Sequence, residues 1–146
     1  MAAIASITNG EAMSSVRTKL NSVITEINIL DPIDWTDYSA TSTIVGWSSF
    51  TTKLIRYRIL GKQMFFEVLL QGVSNSTAAT FTLPNNNVNI NNSYVIRIIN
   101  NGIVNAGLAD ISAASNSFTT YSSTTGNTFT ASGTKMIWFQ GFIEIA

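Results

Sequence analysis

Asp31, Asp34 and Asp37 recur at every third position around Trp35, and they are the densest group of ligating side chains in this chain. Oxygen donors at that spacing raise the question of a hard cation. Calcium loops place their oxygens at alternate positions and turn sharply on a glycine. Neither feature occurs between Asp31 and Asp37. Aspartates in such a stretch cap turns through their own backbone, so no metal site is expected. Glu67 and Glu144 are the next pair, since they sit in strongly strand-like segments. A glycosidase needs two carboxylates at a defined separation across a sugar, and two isolated outward-facing glutamates are the plainer expectation. The chain has no histidine and no cysteine. Thiol nucleophiles, imidazole bases, Ser–His–Asp triads and the common zinc sites are thereby excluded. No catalytic, metal-ligating or cofactor-binding residue is expected, and the chain reads as non-enzymatic.

What fills the 146 residues instead is fifty Ser, Thr and Asn, interleaved with Ile, Val, Leu and Phe. A hydrophobic fraction of 45% and a mean hydropathy of +0.23 exclude a disordered chain. The length suits one domain with a short appended element. Net charge is zero, with eight cationic and eight acidic residues, and the cations are scattered apart from Arg56 and Arg58. That balance removes the attraction that nucleic acid or an anionic membrane would supply, so neither is an expected partner. It also gives weak colloidal protection, which favours self-association. The start shows neither the basic segment nor the apolar stretch of a signal peptide, and no apolar window is long enough to span a bilayer. The sequons at Asn75 and Asn91 read as chance in an Asn-rich chain. The missing cysteines fit synthesis in a reducing compartment.

The elements that must position these residues fall into two regions, 1–31 and 32–146. In the first, Thr8 and Glu11 have capping-box spacing. Met13, Val16, Leu20, Val23, Ile27 and Leu30 then follow at intervals of three and four, a heptad stripe. Asp31-Pro32 stops the helix, because the residue before proline avoids helical dihedrals. A helix this short is marginal alone in water, so the stripe needs a partner surface. The two candidates are the chain's own domain and, in a short coiled coil, other copies of the chain.

The second region reads as short strands. Lys53–Leu60 alternates, with Ile55, Tyr57 and Ile59 on one face and Arg56 and Arg58 on the other. Gly61-Lys62 then leads into Gln63–Leu70, a two-residue hairpin signal of type II′. Further strands are expected at Thr80–Leu83, Tyr94–Ile99, Ile103–Ala106, Ser117–Ser122, Asn127–Ala131 and Lys135–Ile145, with Gly141 a bulge or a close contact. Breaks are expected at Pro84, Asn85–Asn87 and Asn100-Asn101-Gly102. Strands so spaced predict a mainly β fold, a jelly-roll-like antiparallel β-sandwich. Met64–Leu70 and Met136–Phe139 are apolar at nearly every position, so both sheet faces require cover. A subunit interface would supply it, and with the helical stripe this predicts a homotrimer.

The segment from Ile7 to Asn28 resembles the short N-terminal helix of fibre and tail proteins of tailed bacteriophages. Tyr57–Phe66 followed by Phe81-Thr82-Leu83-Pro84 is similar to their terminal β-domains, and Trp138–Ile145 resembles their last strand. The resemblance covers most of the chain and lies chiefly in the order of these segments. It implies a virion component, made in the host cytoplasm, whose helical stem attaches to capsid or tail proteins and whose β-rich head projects. The absence of a repetitive shaft favours a head fibre, decoration protein or small tail component. A receptor-binding module is the alternative. In that reading Trp35, Tyr38, Trp47 and Tyr121 stack on the sugar rings of a host surface glycan.

Overall fold

The structure is a computed structural model. It describes residues 10, 12–29, 34–84 and 88–146, and only the backbone over 24–29. The chain divides into two compact units, Met1–Asp34 and Trp35–Ala146. In the first unit, α1 spans Met13–Ile29. Its first turn closes on the Ala12 carbonyl, which accepts from the amides of Ser15 and Val16. Met13 and Leu20 are 80% and 48% exposed, while Val16 and Val23 are partly buried. Thr8, Glu11, Leu30, Asp31, Pro32 and the side chain of Ile27 lie outside the described residues. The capping box, the lower end of the seam and the stop signal fall there, as does the Asn85–Asn87 break.

The second unit is one antiparallel sheet of nine strands: β1 Thr36–Asp37, β2 Ile44–Val45, β3 Trp47–Leu60, β4 Gln63–Ser74, β5 Thr80–Thr82, β6 Asn92–Asn100, β7 Ile103–Ile111, β8 Ser117–Tyr121 and β9 Thr134–Glu144. Their order across the sheet is β1-β3-β4-β9-β6-β7-β8-β5-β2. The turn chemistry works locally. Gly61, at φ +61°, turns β3 into β4 with Leu60 opposite Gln63, and Asn101-Gly102 turns β6 into β7 with Asn100 opposite Ile103.

β2 is the far edge of the sheet, yet Gly46 alone separates it from β3 near the opposite edge. The sheet must therefore curl enough to bring β2 beside the start of β3, giving a half-barrel. This differs from the expected jelly-roll sandwich, whose strands would divide between two facing sheets. Gly46 sits at φ +108°, and a Cβ there would lie 2.1 Å from the Ala78 carbonyl oxygen. Lys135 closes the junction. Its side chain is fully buried, and Nζ donates to the carbonyls of Gly46, Ser76 and Ala78 at 3.0, 2.7 and 3.0 Å.

The core fills the inside of the curl. In β4 Met64, Phe66, Val68 and Leu70 are buried, while Phe65, Glu67 and Leu69 between them are only partly so. Phe66, Phe81, Phe118 and Phe139 form a ring cluster with centroids 5.1–6.0 Å apart. Such pairs add about 0.5–1.5 kcal/mol each beyond their buried area. Several strands depart from expectation: β3 begins at Trp47 rather than Lys53, β4 runs on to Ser74 rather than Leu70, and β1 and β2 are additional. β7 runs on to Ile111, which puts Asp110 on a strand. Asn127–Ala131 is not a strand, because Ser122 takes its carbonyls: the Ser122 amide and hydroxyl donate to Asn127 O, and the hydroxyl also to Thr128 O.

Candidate functional site

The outward side chains of β3, β4, β9 and β6 line up in rows, because antiparallel register sets their order. One row is Arg58, Phe65 and Phe142. The next is Arg56, Glu67 and Gln140, and the third is Leu54, Leu69, Trp138 and Arg97. The apolar outer positions found in the sequence are thus real, and part of their cover comes from the same chain. Arg58 lies over the Phe65 ring at 5.2 Å, and Phe65 meets Phe142 at 6.0 Å. Trp138 and Phe142 remain 41% and 56% exposed.

Glu67 is held on both sides. Arg56 Nε donates to Oε2 at 2.6 Å, and Gln140 Nε2 donates to Oε1 at 3.1 Å. Glu144 stands opposite Gln63, four positions along the ladder from Glu67. At about 3.4 Å per residue their backbone positions are roughly 14 Å apart along the strands. That is wider than either glycosidase geometry, which ranges from about 5 to 9.5 Å. Asp34 and Asp37 are exposed, and Asp31 lies outside the described residues. Asp37 Oδ1 accepts from the Ser39 amide at 2.8 Å, the turn-capping role expected of it. Hydrogen bonds from the Ser39 side chain and backbone hold its carboxyl below the ordinary value. Among the described residues no group of three or more Asp, Glu, His or Cys is placed to hold a metal ion. No described helix is long and apolar enough to cross a membrane.

The four aromatics read as ligand-facing do not converge. Trp47 is buried, stacks on Phe50 and gives its indole N–H to the Lys135 carbonyl at 3.3 Å. Tyr38 packs edge-on against Tyr57 beside the core, and Tyr121 ends β8, partly buried. Trp35 reaches the surface, with Arg56 and Arg58 over its ring at 5.0 and 5.2 Å. Of the four, Trp35 is exposed beneath two guanidinium groups, and Tyr38 and Tyr121 keep partial exposure at separate places on the sheet.

The site that the sequence reading missed lies where β6 leaves β9. Their ladder pairs only Arg97 through Asn100 with Trp138 through Lys135. Beyond it the strands diverge, and Tyr94 bridges them: its hydroxyl donates to the Phe142 carbonyl at 2.6 Å. Gly141 permits that bridge, because a Cβ there would stand 2.7 Å from the Tyr94 ring. Burial pushes the Tyr94 phenol up to about 12. The divergence leaves an open groove of about 380 Å³ lined by Val95, Arg97, Trp138, Phe139 and Gln140. Arg97 lies over the Trp138 ring at 5.8 Å and, among the described residues, has no carboxylate partner. A flat ring, a free guanidinium and an amide in one open groove can bind a ligand by stacking and charge-assisted hydrogen bonds.

Comparison with known protein families, curated proteins and solved structures yields no match.

Proposed function

We propose that this chain is a non-enzymatic structural protein of a tailed-bacteriophage particle, a head fibre, decoration protein or small tail-fibre component. In this reading the helix assembles three chains through a short coiled coil and docks on capsid or tail proteins, and the β unit is the head it presents. The observation that carries the reading is the helical stripe. Met13 and Leu20 stand exposed on α1, with Val16 and Val23 partly buried between them. An apolar row left open at heptad spacing is a surface for another helix. The sheet unit, in contrast, encloses its own aromatic core and needs no second copy to do so.

Light scattering coupled to size exclusion should give about three chain masses. A monomer at micromolar concentration would refute the assembly. Leu20→Asp should dissociate the oligomer, because a carboxylate in an apolar seam is buried without a partner. The cooperative unfolding of the β unit should survive that change. Loss of both together would mean that the helix packs on its own sheet and builds no stem. Immunogold labelling of intact particles tests the location.

A further inference from the structure

We infer that the groove between the diverging ends of β6 and β9 binds a carboxylated saccharide, a hexuronate unit stacked on Trp138 with its carboxylate on Arg97. This goes beyond the structural role, which requires no ligand. Three features on the same face lead to it.

The first is the opening itself. β9 continues its pairing with β4 through Glu144, whereas its pairing with β6 ends at Trp138. Backbone pairing gives way to a single side-chain bridge from Tyr94. What remains is a trough in the outer face, of about 380 Å³, room for a sugar ring.

The second is the chemistry of the walls. Trp138 presents an apolar ring that is 41% exposed, on which a sugar ring replaces the Arg97 contact as the guanidinium turns to the carboxylate, and Val95 across the groove is 70% exposed. Sugar rings carry an apolar C–H face that packs on such a surface and hydroxyls that do not. An apolar peptide would leave the guanidinium of Arg97 uncompensated. A carboxylate satisfies its planar fork through two parallel N–H donors.

The third is pre-organisation. Gln140 gives its amide N–H to Glu67, and Glu67 is fixed in turn by Arg56. The Gln140 amide is thereby oriented, and its carbonyl oxygen is left to accept from a sugar hydroxyl. Fixing that side chain before binding lowers the entropy cost of association. Glu67 is ion-paired with Arg56, which offsets its charge toward an incoming anion at Arg97.

The test uses the full chain titrated with tetragalacturonate, followed by calorimetry and by the Trp138 indole resonance. Binding is expected at roughly millimolar Kd or tighter, as an open groove with one ion pair allows. The methyl-esterified tetramer keeps the shape and loses the charge, and it should bind at least about tenfold more weakly. Acetate at the same carboxylate concentration should leave the Trp138 resonance in place. Arg97→Gln and Trp138→Ala should each lower affinity at least about tenfold. Arg58→Gln, on the same face but outside the groove, should bind as the parent chain does. Equal affinity for acid and ester, displacement of the tetramer by acetate, full binding by a folded Arg97→Gln variant, or no binding by the parent chain would each overturn the assignment. None of these outcomes alters the oligomer mass, so the saccharide site and the structural assembly stand or fall separately.

Discussion

Replacing Lys135 with methionine should destabilise the β unit by about 3 kcal/mol, seen as a lower urea midpoint at neutral pH. The parent side chain is fully buried, and each of its three N–H bonds meets a backbone carbonyl, those of Gly46, Ser76 and Ala78. The rings of Trp47 and Phe129 lie 5.1 and 4.9 Å from Nζ. Methionine keeps most of the volume but supplies no donor. Ala78 O is orphaned, at about 1–3 kcal/mol for a buried acceptor left without a donor. Gly46 O keeps the Asn75 amide and Ser76 O the Ser74 hydroxyl, so that each of these loses one bond of about 1 kcal/mol. Against this, the variant no longer desolvates a charge, which is why the expected loss is smaller than that sum. An unchanged midpoint would show that the ammonium does not hold the β2–β3 junction together.

The pH dependence of that loss has a definite sign. Burial lowers the Lys135 ammonium from 10.5 to about 8. Between those values the unfolded chain keeps a proton that the folded chain has released, so stability rises with pH across that window. Tyr94 acts oppositely. Its folded value of about 12 lies above the ordinary 10.0. The stability it contributes is fully present below pH 10 and is lost as pH rises through 12. The parent chain should therefore be most stable near pH 10. The Lys135→Met variant should lack the rise above pH 8, so its deficit grows from neutral pH toward pH 10. Tyr94→Phe should lack the fall above pH 10.

How much of this was legible in the sequence depends on how local each signal is. Gly61-Lys62 and Asn101-Gly102 carry their own turn chemistry, and the hairpins they build appear with the expected closing pairs, Leu60 with Gln63 and Asn100 with Ile103. The extension of β7 was hidden because Gly107 and Asp110 interrupt its apolar run. Gly107 is there for packing, since a Cβ would meet the Tyr121 carbonyl oxygen at 2.2 Å. The single curled sheet was not legible at all. Which distant edges pair is decided by contacts such as Val73 with Thr134 and Phe81 with Phe118, and no local pattern announces them.

The site divides in the same way. Alternation along β9 separates Trp138, Gln140 and Phe142 from the buried Ile137, Phe139 and Ile143. A strict period of two would have put Trp138 on the open face. Aromatic type alone misled, because Trp47 and Tyr38 have the same composition signal as a sugar platform and are packed in or against the core. That the β6–β9 ladder ends at Arg97 has no sequence signature beyond Gly141, whose close contact was expected without its partner Tyr94.

Gly46→Ala should be the most damaging single-methyl addition in the β unit, costing more than about 4 kcal/mol or preventing folding. Two separate penalties meet there. The backbone stands at φ +108°, a conformation that L side chains rarely adopt, and such strain costs about 1–3 kcal/mol. The new Cβ would also lie 2.1 Å from the Ala78 carbonyl oxygen and 3.0 Å from Lys135 Nζ. Neither is free to withdraw, because that carbonyl accepts from Nζ and Nζ is pinned by two more. Relief requires moving β2 away from β5 or breaking the ammonium cage. Either route opens the β2–β3 junction, so amide exchange should accelerate first at Ile44, Val45 and their partners Thr80 and Phe81. The effects of Gly46→Ala and Lys135→Met should be far from additive in a double-mutant cycle, since each dismantles the same junction. Additive losses would mean that the glycine and the lysine stabilise separate parts of the sheet, and that the closure does not depend on their contact.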